Sequence, residues 1–366
     1  MESRASHLLG MLPADLVRAL GERGIACTET EARRVLGRVI SEGRADLDLK
    51  RPPRREVMRA LEGELSRERL EVVDRVRDDF DGFVKYLFRH PDGSLTEAVR
   101  IPLLKEGRFS VCLSSQVGCA MRCAFCATGR LGLTRSLAAW EIVSAFLTVR
   151  DELETDETLA PLRERGVRLR VTGAVFQGQG EPFHNYDEVI QAARVLSHPC
   201  GGRISGTAIT ISTVGLVPQI ERYAREGHPY RLIVSLTSAR EDKRRELLPV
   251  AGRFSMADLK AALARYQETL GNRITLAWVL MRGVNHGDDE VEALLRELDG
   301  LPIRVNLIDV NDDTGRFEVA SDAERSELIG KLHAAGIATR RRYSGGKNRH
   351  AACGMLAATH RADATP

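Results

Sequence analysis

The chain has 366 residues, of which 43% are hydrophobic and 29% are charged, and its formal net charge is +3. This composition provides enough apolar residues for a buried core. The small net charge excludes a polybasic protein whose whole surface would attract nucleic acid. No apolar run approaches the roughly 18 residues that a membrane-spanning helix needs, and charged residues interrupt the N-terminal segment where a signal peptide would be apolar. We therefore expect a cytoplasmic protein without a membrane span.

Residues 1–78 are predicted to form a small helical domain. Segments 13–24 and 29–43 carry apolar residues at helical spacing, and each ends near a glycine. The same spacing continues through residues 55–79, after two prolines. Residues 79–107 follow, where two alternating segments flank the turn sequence PDGS and predict a β-hairpin that leads into the main domain.

From residue 108 onward, strand patterns alternate with helical patterns. The predicted strands are 109–115, 171–178, 206–213, 230–236, 273–280 and 303–310, with a last strand at 336–346. Six strands that alternate with helices predict an α/β fold in which a parallel sheet curves into a partial (β/α)6 barrel. We expect this core to span residues 108–358, with a flexible tail at 359–366 and the chemistry at the carboxyl ends of the strands.

Four of the seven cysteines lie within twenty residues, and three of them, Cys119, Cys123 and Cys126, form the pattern C-x3-C-x2-C. In a reducing compartment such clustering indicates metal or redox chemistry rather than disulfides. Three thiolates from one loop suit a four-iron, four-sulfur cluster that keeps one iron open to an outside ligand. A structural zinc site would need a fourth ligand, and no histidine adjoins the loop. Spacing alone favours the cluster and leaves zinc and coincidence open.

The loop sequence CAMRCAFC resembles the cluster loop of radical S-adenosylmethionine (radical SAM) enzymes, and GQGEP at 178–182 resembles their glycine-rich stretch. The motifs CLSSQVGCAMRCAFCATG, GQGEPFHN, ISTVGLVP and AACGML occur in this order and together resemble the RlmN/Cfr family. Members of that family methylate adenine carbons in RNA. The resemblance covers about residues 80–357. It implies the radical SAM barrel, one four-iron, four-sulfur cluster and two molecules of S-adenosylmethionine per turnover.

The resemblance also implies roles for residues outside the cluster loop. An adenine ring carbon is not a nucleophile, so the family uses covalent catalysis instead of direct methyl transfer. Cys353 is the implied methyl carrier, Cys112 is the implied resolving thiol that forms a transient disulfide with it, and Glu97 is the implied proton acceptor. The positions implied to bind S-adenosylmethionine are Gly180, Glu181, Ser212, Ser235, Leu236, Thr237 and Asn311.

The chain departs from the family pattern at several positions. Gln179 stands where methionine is usual, Thr237 stands where histidine is usual, and residues 345–350 lack the usual acidic residues before the methyl carrier. Because such loops contact the substrate, the target remains open between 23S rRNA, tRNA or both, with C2 of adenine favoured over C8.

Three basic clusters are consistent with an RNA partner, although each taken alone is more typical of a solvated surface; only for the third, which lies just before Cys353, do we favour contact with RNA. These are Arg51, Arg54 and Arg55; Lys243, Arg244 and Arg245; and Arg340, Arg341 and Arg342 followed by Lys347 and Arg349. We also expect an electron donor such as flavodoxin or ferredoxin, and a monomer.

Two other functions compete with RNA methylation. The first is a radical SAM enzyme that has kept the core but acts on a small molecule or a peptide. The second is an RNA-binding protein that zinc or an iron–sulfur cluster merely stabilises. The presence of both Cys112 and Cys353 favours RNA methylation, because neither alternative requires that pair.

Overall fold

A computed structural model describes residues 7–271, 273–312, 314–342, 345 and 355–356. The helices are α1 (Pro13–Gly21), α2 (Glu29–Leu36), α3 (Arg55–Gly63), α4 (Ala127–Leu131), α5 (Ala139–Asp151), α6 (Ala160–Glu164), α7 (Tyr186–Ser197), α8 (Val217–Glu226), α9 (Glu241–Leu247), α10 (Met256–Leu270), α11 (Asp288–Glu297) and α12 (Asp322–Ala334). The strands are β1 (Glu71–Arg77), β2 (Val84–Arg89), β3 (Leu95–Pro102), β4 (Arg108–Leu113), β5 (Gln116–Gly118), β6 (Leu133–Ser136), β7 (Arg170–Phe176), β8 (Ile209–Thr213), β9 (Arg231–Ser235), β10 (Ile274–Leu280), β11 (Ile303–Asp309) and β12 (Ala338–Arg342).

One ten-stranded sheet organises the fold, in the order β1-β2-β3-β4-β7-β8-β9-β10-β11-β12. Strands β1 to β4 pair in antiparallel fashion, and every pairing from β4 to β12 is parallel. Strands β5 and β6 form a separate hairpin beside the cysteine loop. The predicted α/β fold with a parallel sheet is therefore confirmed, and the six core strands and the last strand all form near the predicted positions.

The two faces of the sheet have different roles. Val305 and Leu307 of β11 point to the helices and belong to the main hydrophobic core, whereas Ile308 packs on the opposite face with Ile233 and Ala277. Alternation along parallel strands produces this division. We call the side of the sheet that carries Ile308, Ser212, Ser235 and Cys112 the inner face.

The prediction that residues 55–79 are helical throughout is wrong for the second half. Helix α3 ends at Gly63, and Glu71–Arg77 forms strand β1, which pairs with β2. The sequence EVVDRVR fits a helical or a strand pattern equally well, because its three valines are spaced unevenly among charged residues. Pairing with the hairpin of β2 and β3, which forms as predicted, selects the strand.

The N-terminal helices pack on the outside of the barrel. The ring of His7 stacks on Trp140 of α5 with centroids 4.1 Å apart, and Gln191 of α7 donates a hydrogen bond of 2.9 Å to the carbonyl oxygen of Gly10. Leu8 and Leu9 belong to the same hydrophobic cluster as the core strands. Within the described residues, the helical segment and the barrel therefore share one core. No helix in that part of the chain is both long and apolar enough to cross a membrane.

Candidate active site

A cavity of about 110 Å³ opens at the carboxyl ends of β7, β8 and β9, beside the cysteine loop. It is lined by predicted site residues from separate parts of the chain, namely Cys119, Cys123, Cys126, Gly180, Glu181, Ser212 and Ser235. Apolar side chains, including Met121, Phe125 and Val279, complete the wall.

The cysteine loop is anchored at both ends by backbone hydrogen bonds. The amide of Cys119 donates to the carbonyl oxygen of Gly132 over 2.7 Å, and the amide of Ala124 donates to that of Leu247 over 3.0 Å. Burial raises the pKa of the Cys119 thiol to about 12 and holds the pKa of the Cys123 thiol well above its usual value. A thiolate at either position therefore needs a positive partner.

The three thiols of this loop line the cavity. Within the described part of the chain, no set of three His, Cys, Asp or Glu side chains stands close enough to bind a metal ion directly. None of the six described cysteines is joined to another by a disulfide.

The glycine-rich loop after β7 packs directly on the start of the cysteine loop. Gly180 has a φ of 96°, and a Cβ there would lie 2.6 Å from the Cβ of Gln116. A Cβ at Gly178 would lie 2.8 Å from the backbone carbonyl carbon of Leu113. The amide of Glu181 donates to Oε1 of Gln116 over 2.9 Å. Only glycine permits this approach, and it places Glu181 in the cavity wall.

Glu181 is a buried carboxyl group that backbone amides hold in place. Its Oε1 accepts a hydrogen bond from the amide of Phe183 over 3.0 Å, and its Oε2 accepts one from the amide of Val214 over 2.9 Å. Burial is the largest influence and raises the pKa of Glu181 to about 7. A buried carboxylate at a cavity wall is suited to bind an ammonium group, because the positive charge offsets its lost hydration.

Ser212 and Ser235 stand next to each other at the ends of β8 and β9. Their hydroxyl oxygens are 3.4 Å apart, so both can present polar groups to one ligand in the cavity. Parallel pairing in register explains their proximity, because Ser212 lies opposite Ile233 and Ser235 follows two residues later on the same face.

The other residues predicted to bind S-adenosylmethionine do not line this cavity. The side chains of Leu236 and Thr237 are fully buried, and Thr237 adopts a φ of 60°, which is rare for a β-branched residue. The side chain of Asn285 donates to the carbonyl oxygen of Thr237 over 2.7 Å and fixes this turn. The side-chain amide of Asn311 donates a hydrogen bond of 3.2 Å to the carbonyl oxygen of Asp309. Binding through these three residues stays a prediction.

Glu97 and Cys112 lie on the inner face of adjacent strands. Val99 of β3 is the register partner of Cys112 in β4, and Glu97 lies two residues from Val99 on the same face. The carboxylate of Glu97 is buried, and its Oε1 lies 2.9 Å from Nζ of Lys85 in β2. Sequence reasoning missed Lys85, because only the register of β2 and β3 places it beside Glu97.

Side chains from the glycine-rich loop and from Ser114 anchor the backbone of Glu97. The side-chain Oε1 of Gln179 accepts a hydrogen bond from the amide of Glu97 over 3.2 Å, and the hydroxyl of Ser114 donates to its carbonyl oxygen over 2.5 Å. Strand β4 ends at Leu113, so these side chains replace the backbone ladder one step further along β3. Gln179, a departure from the family pattern, thus connects the cavity to Glu97.

Cys353 lies outside the described residues. Gly345 and Leu356, which flank it in the sequence, are described, and both contact Phe83. Leu356 packs against Phe83 and Val99, with Cys112 beside them, and its carbonyl oxygen accepts a hydrogen bond of 2.5 Å from Thr128. Gly345 fits so closely against Phe83 that a Cβ there would overlap the ring. Leu356 also lines the cavity.

Comparison with known proteins decides the family. The model of the Radical SAM superfamily matches residues 113–298. A probable RNA methyltransferase of Anaeromyxobacter sp. (strain Fw109-5) is 46% identical over 359 residues, which cover 97% of this chain and 99% of that protein. The dual-specificity RNA methyltransferase RlmN of Syntrophobacter fumaroxidans (strain DSM 10017 / MPOB) is 38% identical over 94% of this chain and 95% of that protein. The chain belongs to the RlmN-type radical SAM family.

A solved structure has the same fold as this radical SAM chain. The crystal structure of a radical SAM methyltransferase from Sphaerobacter thermophilus superposes with a TM-score of 0.84 at 35% sequence identity. The match covers 97% of this chain and all of that one. The predicted resemblance and the predicted radical SAM fold are therefore confirmed.

The radical SAM family implies a four-iron, four-sulfur cluster and S-adenosylmethionine, and the residues present fit both. Cys119 is buried and Cys123 and Cys126 are half-buried at one wall of the cavity, where iron would supply the positive charge that their thiolates need. Glu181, Ser212 and Ser235 offer hydrogen-bonding groups across the same cavity.

The structure corrects two of the predicted basic clusters. Arg54 pairs with Glu31 over 2.9 Å, and Lys243 pairs with Glu290 over 3.1 Å. Arg244 is only 1% exposed, and its guanidinium contacts the carbonyl oxygen of Val214. Because Arg244 is buried, it is not part of an exposed basic surface.

Proposed function

We propose that this protein methylates an adenine ring carbon, C2 rather than C8, in 23S rRNA, tRNA or both, through an S-methylcysteine at Cys353. One observation carries the proposal: Glu97 and Cys112 share the inner face beside the cavity, and described residues on both sides of Cys353 contact that face. The RNA methyltransferase names of full-length relatives support it.

The cluster and S-adenosylmethionine, bound by the cysteine loop and the cavity residues, would supply the radical that removes hydrogen from a methyl group. The chain's own residues do the rest. The sulfur of Cys353 first takes a methyl group from one S-adenosylmethionine, which leaves as S-adenosylhomocysteine, and a second molecule would serve as the radical source. After the carbon has joined the adenine, the adduct gives up a proton, which Glu97 accepts, and one electron, which the cluster would accept. The Cys112 thiolate then attacks the sulfur of Cys353, so that a disulfide forms, the sulfur–carbon bond breaks and the released carbon takes up a proton to become the methyl group.

The position of Glu97 suits proton acceptance. Its carboxylate is held by Lys85, and its backbone is fixed by Gln179 and Ser114. A base with a fixed backbone and a fixed charge partner loses little entropy when the adduct forms. We further expect a monomer in the cytoplasm that draws electrons from a donor such as flavodoxin or ferredoxin.

Mass spectrometry of nucleosides tests the proposal. 23S rRNA and tRNA are isolated from cells with and without the gene, and from deletion cells complemented with wild type, Cys353→Ala or Cys200→Ala. Cys200 is the matched control, because it lies outside the cavity and the inner face. We expect 2-methyladenosine to disappear on deletion and to return with wild type and with Cys200→Ala only. Unchanged methyladenosines in cells that express the gene would refute the RNA function and favour a small-molecule or peptide substrate.

A further inference from the structure

Four arginines form a diagonal stripe across the inner face of strands β9 to β12, from the amino end of β9 to the middle of β12. Arg231 begins β9, Arg273 precedes β10, Arg304 is the second residue of β11, and Arg340 lies in β12. Thr275 is the register partner of both Ile233 and Arg304, which places position 273 beside Arg231 and diagonal to Arg304. All four side chains are exposed. We call this set the arginine stripe.

The stripe and the cavity occupy the same face, separated by one apolar layer. That layer is the cluster of Ile233, Ala277 and Ile308. Val279, in the cavity wall, lies four residues beyond Thr275, which is level with Arg304. At roughly 3.3 Å per residue, Arg304 is about 13 Å from the level of Val279. A polymer that enters the cavity from the inner face can therefore reach the stripe.

The arginine stripe carries positive charge that the protein does not neutralise. Among the described residues, none of its four members has a carboxylate partner, although arginines elsewhere in that part of the chain, such as Arg100 and Arg325, form buried ion pairs. Partial desolvation, followed by the positive charges of Arg231, Arg273 and Arg340, lowers the pKa of Arg304. Nε of Arg304 donates a hydrogen bond of 2.7 Å to the hydroxyl of Thr275.

Strand register also resolves the basic run at residues 340–342. Arg341 points to the helix side, where its guanidinium contacts Asp309 over 3.3 Å. Arg340 is the register partner of Asn306 and so lies on the inner face. The run is therefore not one patch, and Arg340 joins Arg231, Arg273 and Arg304 instead.

We propose that the arginine stripe binds the phosphodiester backbone of the RNA substrate, a few nucleotides from the adenine that enters the cavity. The proposal rests on the proposed function and adds the surface that recognises the RNA. Guanidinium groups bind phosphate oxygens in bidentate fashion, and a row of them on adjacent strands matches a chain of repeated negative charges. Such contacts carry no base sequence and set the position of the substrate.

The experiment compares two triple variants with equal loss of charge. One is Arg231→Gln, Arg304→Gln and Arg340→Gln, in the stripe. The control is Arg194→Gln, Arg225→Gln and Arg253→Gln, three exposed arginines outside the inner face. The cluster-loaded proteins are titrated with 23S rRNA and tRNA from the deletion strain between 50 and 300 mM salt. Methylation kinetics are measured on the same RNA.

We expect the stripe variant to bind RNA about tenfold or more weakly at 100 mM salt and to lose about two units of slope in log affinity against log salt, because each lost phosphate contact lowers the slope by roughly 0.7 to 0.9. Its KM for RNA should rise while kcat at saturating RNA stays within about twofold. The control variant should differ from wild type by less than about threefold.

The outcomes separate this inference from the proposed function. If the stripe variant methylates RNA with the same KM as wild type and the same slope of log affinity against log salt, the inference about the arginine stripe is wrong. The proposed function is then unaffected. RNA binding that weakens as expected, without any methyladenosine from wild type, would support the stripe and overturn the function. Wild type that neither binds nor methylates RNA would overturn both.

Discussion

At the scale of single residues, burial decides how Glu181 can act. The folded protein raises the pKa of this carboxyl to about 7, whereas the unfolded chain titrates it near 4.5. Between these values the folded state binds more protons than the unfolded state, so stability falls as pH rises from about 4.5 to 7. Nearby backbone amides limit the cost but do not remove it.

Glu181→Gln should therefore remove a pH dependence from the free energy of unfolding. Without S-adenosylmethionine, wild type should lose about 2 kcal/mol more than the variant between pH 5 and pH 7.5, because only wild type must bury a charge in that range. Urea unfolding of both proteins at the two pH values measures the difference. Parallel pH profiles would show that the cavity does not restrain ionisation of Glu181.

Individual residues also show where sequence reasoning ends. The cysteine loop could be recognised from its spacing together with its resemblance to a known motif, and the glycine-rich loop from such a resemblance, because each motif is local in sequence. Lys85 could not be assigned to Glu97, since the contact depends on strand register. Gln179 was visible only as a departure, and its hydrogen bond to Glu97 joins residues 82 positions apart.

At the scale of elements, the junction between the glycine-rich loop and the cysteine loop leaves no room for a side chain. Gly180→Ala combines a positive φ with a Cβ that would press on Gln116. We expect a loss of about 2 to 5 kcal/mol in stability and at least tenfold weaker binding of S-adenosylmethionine.

Gly330→Ala is the matched control for Gly180→Ala, because Gly330 lies in α12 with open space around its Cα. This change should leave binding intact and stabilise the helix by up to about 1 kcal/mol. Calorimetric titration with S-adenosylmethionine and thermal unfolding compare the two variants. Equal affinities would contradict the role of Gly180.

The segment around Leu356 is the second element with a clear energetic prediction. Leu356 is 4% exposed, and it packs on β2 and β3 beside Cys112. Leu356→Ala should remove about 2 to 5 kcal/mol of local packing. RNA methylation should then fall at least tenfold while cleavage of S-adenosylmethionine continues.

Leu104→Ala, at a fully exposed leucine, controls for the chemistry of the Leu356→Ala substitution. The ratio of methylated adenosine to cleaved S-adenosylmethionine, measured for both variants, is the readout. A ratio that stays constant in Leu356→Ala would mean that packing at Leu356 does not position the residues before it.

The prediction of helices and strands succeeded where burial and hydrophobic periodicity indicate the same structure. Strands β7 to β11 are short and mostly buried, so their apolar runs between helical segments were recognisable. Strand β1 failed because its alternation is uneven and its residues are half-buried or exposed. Its conformation depends on a partner strand, which a local pattern does not contain.

At the scale of the whole molecule, the N-terminal helices are held on the barrel by a histidine that is buried in its neutral form. His7 is 2% exposed and stacks on Trp140, and burial lowers its pKa to about 4. Its Nδ1 accepts a hydrogen bond from the amide of Leu9. Protonation would thus place a charge in a buried contact, where the backbone of Glu68 and the carboxylate of Glu141 offset the lost hydration only in part.

The unfolded chain takes up a proton at His7 near pH 6.5, and the folded chain resists it until about pH 4. The contribution of neutral His7 to the free energy of unfolding is therefore fully present above about pH 6.5, and it is lost progressively as pH falls towards 4. His7→Phe keeps an aromatic ring against Trp140 and removes the titration. Between pH 7 and pH 4.5, wild type should lose about 2 to 3 kcal/mol more than His7→Phe.

Hydrogen exchange of α1 and α2, together with global unfolding, tests this prediction at both pH values. If exchange in α1 and α2 rises on acidification in wild type but not in His7→Phe, the histidine controls docking of the N-terminal helices. If exchange rises equally in both proteins, other groups govern the contact. Because those helices pack on α5 and α7, behind the sheet rather than on its inner face, acid release of α1 and α2 should leave the cavity residues protected.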